Sequence, residues 1–66
     1  MYINPKKAYL LKLMNEAKIV KGFQGSNGQQ SFNLKSTAGS FVAKGTLEEL
    51  VALANENDIS LENFNR

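Results

Sequence analysis

Any chemistry in this chain falls to lysines, carboxylates, tyrosines and hydroxyls, because it contains no histidine and no cysteine. Without histidine, both the usual general base near neutral pH and the commonest metal ligand are missing. Without cysteine there is no thiolate nucleophile, no disulfide and no sulfur ligand. Zinc sites, Ser-His-Asp and Cys-His arrangements and histidine-driven RNA cleavage are thereby excluded. The expectation is a protein that is not an enzyme, with no catalytic residue, no metal site and no cofactor.

Lysine is what the chain does supply. Residues 1–45 carry seven lysines against Glu16 alone, whereas residues 46–66 carry Arg66 against Glu48, Glu49, Glu56, Asp58 and Glu62. A basic segment of this kind suits a polyanion. The same distribution also serves plain surface solvation, and the basic part has no arginine for bidentate phosphate contacts. The phosphate-binding candidates are Lys6, Lys7, Lys21 and Lys35, with Asn27 at a turn. Phe23, Phe32 and Phe41 are interleaved with lysines, as in sheets that stack bases. Strand alternation, however, assigns Phe32 and Phe41 to the buried face.

Three other groupings have simpler structural accounts. Gly22-Phe23-Gln24-Gly25 matches a G-x-x-G backbone clamp in letters, but that clamp joins two helices and these glycines flank a strand end. Asn55-Glu56-Asn57-Asp58 lacks the glycine and the distal glutamate of a calcium loop. Glu48 and Glu49 diverge by about 100° as neighbours on a helix, and in its first turn they favour the dipole rather than forming a carboxylate pair.

The elements that position these residues follow from hydrophobic period. Asn4-Pro5 is a good helix opening, and Leu10, Leu13, Met14 and Ala17 recur at helical spacing, which predicts a first helix over residues 5–17. The period then changes. Ile19–Phe23 reads as a strand, and Asn27-Gly28 is a hairpin signal because both residues tolerate positive φ. Gln30–Lys35 alternates, with Phe32 and Leu34 inward. Thr37-Ala38-Gly39 turns the chain into a third strand at Ser40–Lys44. Thr46-Leu47-Glu48-Glu49 is a capping box, and Leu47, Leu50, Val51 and Ala54 stripe the second helix, with Asn57 as a left-handed stop. Leu61 and Phe64 are expected to pack back. The fold class is α+β in the order α-β-β-β-α: a three-stranded antiparallel meander with two helices packed on one face.

Sixty-six residues make one domain, 1–66, with a thin core. No apolar run approaches the roughly 20 residues that span a bilayer. No apolar leader follows the early lysines, so a cytoplasmic location without membrane contact is expected.

The element order is that of the double-stranded-RNA-binding domain, although the acidic Thr46-Leu47-Glu48-Glu49 replaces the lysine cluster at the start of that domain's last helix. The chain also resembles the HicA family of small RNA-cleaving toxins, which share this fold. Leu10-Leu11-Lys12-Leu13-Met14-Asn15-Glu16-Ala17 looks like the family's first helix. Gly25-Ser26-Asn27, with Phe32 on the next strand, is similar to its Gly-Ser-x-His hairpin. Lys44-Gly45-Thr46-Leu47 and Ile59-Ser60-Leu61-Glu62-Asn63-Phe64 are similar to its Lys-Gly-Thr-Leu helix entry and its Ile-Ser-x-Glu-x-Phe close. Gly28 stands where the family has its catalytic histidine. The resemblance therefore implies the fold and nucleic-acid binding without cleavage.

The functional expectation is a non-catalytic nucleic-acid-binding module, RNA ahead of DNA. The alternatives are a small protein-binding or inhibitor module of a mobile element, with a small cognate protein as partner, and a degenerate nuclease working through carboxylates. If the capping box starts the second helix, Thr46→Ala removes one cap bond and should cost about 1 kcal/mol. A thermal melt should show this as a midpoint lower by several degrees.

Overall fold

Alternation along the central strands decides which side of the sheet is covered. In a computed structural model, whose described residues are 1–62, the chain runs β1 (Tyr2–Ile3), α1 (Leu10–Leu13), β2 (Glu16–Gln24), β3 (Gln30–Ser36), β4 (Phe41–Gly45), α2 (Leu47–Glu56) and β5 (Ser60–Leu61). The result is a small α+β domain with a mixed five-stranded sheet, ordered β1-β4-β3-β2-β5. The predicted meander is its centre: β2, β3 and β4 pair antiparallel in sequence order. The two edges were not foreseen. β1 pairs antiparallel with β4, and β5 pairs parallel with β2. The expected α-β-β-β-α order is corrected accordingly. Each added strand is only two residues long, too short to show a period.

One face of this sheet is the core. Ala17 and Ile19 of β2, Leu34 of β3 and Val42 and Ala43 of β4 are buried. They cluster with Leu11 of α1, with Leu50, Leu53 and Ala54 of α2, and with Ile59 and Leu61 beyond it. Val42 and Ala43 are adjacent yet both fully buried, which strict alternation forbids. The register explains it: Leu34 pairs with Ala43 but Lys35 pairs with Phe41, so Val42 is the extra residue of a β-bulge. That bulge overturns the inward assignment of Phe41, which stands opposite Lys35 on the other face. Phe32 does pack against the core, as expected.

The first helix is much shorter than the predicted 5–17. Asn4 does not cap it: its Oδ1 accepts the Lys6 N–H at 3.0 Å, which closes a local turn, while the helix itself starts after Tyr9, whose side chain makes no cap bond. The chain then continues as a series of turns, with Lys7 N–H donating to Asn4 O and Leu10 N–H to Lys7 O. Only Leu10–Leu13 is α-helical, and Met14 is already extended at φ −85°, ψ 143°. Sheet pairing wins over helical period here. Ser60 N–H donates to Asn15 O and Glu62 N–H to Ala17 O, each at 2.8 Å, which draws this stretch into the sheet. Ala17 therefore belongs to a strand, Leu11 is the buried residue of α1, and Leu13 is exposed.

The hairpin between β2 and β3 is a five-residue loop closed by Gly25 N–H donating to Gln29 O at 2.6 Å. Gly28 takes positive φ, +86°, as the Asn-Gly signal requires. Asn27 does not; its Oδ1 instead accepts the Gln29 N–H at 3.1 Å, an Asx turn.

At α2 the capping box is complete. Glu49 N–H donates to Thr46 Oγ1 at 3.2 Å and Thr46 N–H to Glu49 Oε1 at 2.9 Å. The Thr46 backbone bond foremost, and the nearby Met1 amine after it, hold the Glu49 carboxyl below the usual carboxylate range. A depressed carboxylate stabilises the fold at pH values above its unfolded pKa. That contribution is lost as pH falls through the folded value, so this helix start weakens only in acid. Leu53 joins the predicted stripe as a buried residue. Phe64, expected to pack with Leu61, lies outside the described residues. Among the described residues no helix is long and apolar enough to cross a membrane.

The left-handed stop falls one residue later than expected. Asn57 has φ −108° and Asp58 takes φ +56°. Ile59 N–H donates to Ala54 O at 2.8 Å and Asp58 N–H to Asn55 O at 3.3 Å, the paired bonds of a Schellman motif. Asp58 thus places a Cβ in the left-handed region and a negative charge at a helix C-terminus, both unfavourable. Asp58→Gly should raise stability by about 1 kcal/mol and Asp58→Val should lower it; urea melts of the two variants give the opposite signs directly.

Candidate nucleic-acid interface

The sheet face away from the helices is the candidate site, and strand register maps it. Across one row, Phe41, Lys35 and Lys18 are successive Cα partners on β4, β3 and β2. Across the next, Tyr2, Lys44, Asn33 and Val20 are partners on β1, β4, β3 and β2. Ser31 and Gly22 continue the same face, at the hairpin end, by alternation from Asn33 and Val20. Three lysines, two aromatic rings and an amide therefore share one open surface.

Lysine dominates the central strands of this face. Lys18 and Lys35 stand directly opposite each other on adjacent strands, a like-charge pair that costs stability. Lys44 Nζ sits 5.8 Å from the Tyr2 ring centroid, a cation–π contact. Tyr2 stacks in turn on Phe41, with centroids 6.3 Å apart and planes 13° off parallel. Among the described residues none of the three lysines is paired with a carboxylate; the ion pair there joins the Met1 amine to Glu49 at 3.5 Å. Glu16, at the start of β2, lies on this face, and exposed Glu62 lies at its edge. Glu62 follows buried Leu61, and its N–H donates to Ala17 O, which continues the parallel register opposite Lys18. The other acids lie on α2 or just after it.

At the hairpin end a second bulge interrupts the pairing between Lys21 and Gln24. Ser31 Oγ donates to Phe23 O, and Gln30 Nε2 donates to Gly22 O at 2.8 Å, so the bulged backbone is held from β3. Phe23 emerges from it 92% exposed. Its ring borders a shallow depression of about 460 Å³ whose walls include Tyr2, Ser31, Asn33 and Lys44. Gly22 keeps this ground clear, since a Cβ there would lie 3.0 Å from Ser31 Oγ and 3.3 Å from both Asn33 amide atoms.

Of the residues singled out from the sequence, Lys35 lies on this face. Lys21 pairs with Phe32 on the helix side of the sheet. Lys6 and Lys7 occupy the turns leading into α1, and Asn27 is exposed at the hairpin tip. The structure does not gather the five into one site. Sequence reasoning misses Lys18, Lys44, Tyr2 and Phe41. A helical period puts Lys18 on a helix flank, Tyr2 lies in a two-residue strand, and the bulge hides Phe41. The Ser40–Lys44 strand prediction does hold the signal for Lys44, which alternation turns away from Ala43.

No family model, curated protein or solved structure matches this chain.

The Lys18–Lys35 pair makes an opposite-sign test possible. Lys35→Glu replaces a repulsive cross-strand pair with an attractive one and should stabilise the fold by roughly 0.2–1 kcal/mol. Thermal melts should show a higher midpoint at low salt, with the gain shrinking as salt is added.

Proposed function

We propose that this protein is a non-catalytic nucleic-acid-binding module, RNA ahead of DNA, that uses the open face of its sheet. One observation carries the reading: Lys18 and Lys35 are opposed on adjacent strands, with Lys44 one row away, on a face with exposed aromatic rings whose acids, Glu16 and Glu62, are confined to the β5 edge. A polyanion laid across this face relieves the lysine repulsion and releases its own condensed counterions. The resemblance to HicA-type toxins supports the same class of ligand. Gly28 stands where that family has its histidine, so binding is proposed without cleavage. A cytoplasmic location fits the reading.

A second reading, a small protein-binding or inhibitor module of a mobile element, has its own support on the helical side. Tyr9 and Leu13 are 55% and 68% exposed beside Ala8 and Lys12, and such residues suit a protein partner.

Salt separates the two. Binding to RNA should fall steeply with added salt. Alanine at Lys18, Lys35 or Lys44 should weaken binding to all sequences alike and flatten the log–log salt slope by about one unit or less. Alanine at Lys6, Lys7 or Lys21 should have a smaller effect. Gel-shift titrations over a salt series measure both, and RNA should be recovered intact without added metal. No binding at low salt would transfer the assignment to the protein-partner reading.

A further inference from the structure

We propose that the occupant of the open face is a single strand, with one unpaired base stacked on Phe23 and the phosphates that run on from it to one side lying on Lys44, Lys35 and Lys18. This rests on the reading above and narrows it to a substrate class.

The argument begins with Phe23. A phenylalanine ring 92% exposed at the end of a central strand buries nothing and supports no neighbour. Among the described residues the stacked aromatic pair is Tyr2 with Phe41, so the Phe23 ring has both faces open. Its backbone is nevertheless fixed, because Ser31 Oγ bonds to its carbonyl and Gln30 Nε2 to that of Gly22. A fixed backbone presenting a bare ring is what base stacking uses. A duplex has no use for it, since its base faces are already stacked along the helix and only its ends are open.

The depression beside the ring has the chemistry of a base edge. Asn33 offers an acceptor and two amide donors, and its side chain makes no hydrogen bond among the described residues. The Ser31 hydroxyl lies at the same wall, and both groups are reached because residue 22 has no side chain. Recognition of unpaired bases combines stacking on an aromatic ring with hydrogen bonds to the base edge. Lys44 borders the depression, and Lys35 and Lys18 lie one row further along the face, so charge leads away from the ring in one direction.

The test compares ligands as well as variants. Fluorescence anisotropy at low salt is run with labelled oligouridine, oligothymidine and a blunt-ended RNA duplex of the same length. The wild type should bind the single strands more tightly than the duplex, and the two single strands separate ribose from deoxyribose. Phe23→Ala should weaken single-strand binding by about ten- to a hundredfold, the loss of one stacked base, and leave duplex binding unchanged. Phe23→Trp should restore it, with indole fluorescence quenched on binding. Melts of both variants should match the wild type, since the ring is exposed. Duplex binding equal to or tighter than single-strand binding would overturn the inference, as would an unaltered Phe23→Ala variant. In those cases lysine-dependent binding would still sustain the wider reading. If none of the three ligands binds, the wider reading falls with it.

Discussion

Ile19, Leu34 and Ala43 form a row of buried residues across the three central strands, joined to Leu50 of α2 in one cluster. Everything else in the fold answers to the need to keep that row dry. The described residues supply one ten-residue helix and one single turn, enough to cover one side of a five-stranded sheet. The other side stays wet. An antiparallel meander tolerates this, because its strands can be apolar on one face and polar on the other.

A one-sided sheet makes register critical, since a slip of one residue exchanges the faces. Here the exchange happens twice by design. The bulge at Val42 lets β4 give two consecutive residues to the core and sends Phe41 to the wet side. The bulge after Lys21 takes Phe23 out of the alternation of its strand. Both departures put an aromatic residue on or beside the open face. Neither aids the core, and an exposed Phe forgoes roughly 1.5–3 kcal/mol of burial.

The same geometry decides how much of the fold is legible in the sequence. Local signals are sound: the Asn-Gly hairpin, the Thr46–Glu49 box and the alternation of Phe32 with Leu34 all lie within a few residues and match the structure. Apart from the one-residue shift of the helix stop to Asp58 and the local turn at Asn4, the failures are non-local. Residues 14–17 keep a helical period in letters, but β5, more than forty positions later, supplies the parallel partner that makes Glu16 and Ala17 a strand. Tyr2 becomes an edge strand because Lys44 and Ala43 are there to pair with it and its neighbour. The candidate site is legible at Lys35 and at Phe23, the ring that alternation does not claim for the core, and little further, because a surface assembled across β1, β4, β3 and β2 has no expression as spacing along the chain.

Solvation alone would explain lysines on a wet face, so charge by itself does not distinguish a binding surface from an ordinary one. The arrangement goes further in two respects. Solvation asks for mixed signs, since opposite charges across strands stabilise and like charges do not, yet Lys18 faces Lys35 on the central strands while the acids of this face, Glu16 and Glu62, are confined to the β5 edge. Solvation also asks for polar residues, yet the same face carries the stacked Tyr2 and Phe41 rings and is bordered by bare Phe23. Repelling cations and unburied rings are each a cost to the isolated fold. A ligand with regularly spaced negative charge and flat apolar faces offsets both at once, and a nucleic acid strand has that pair of properties.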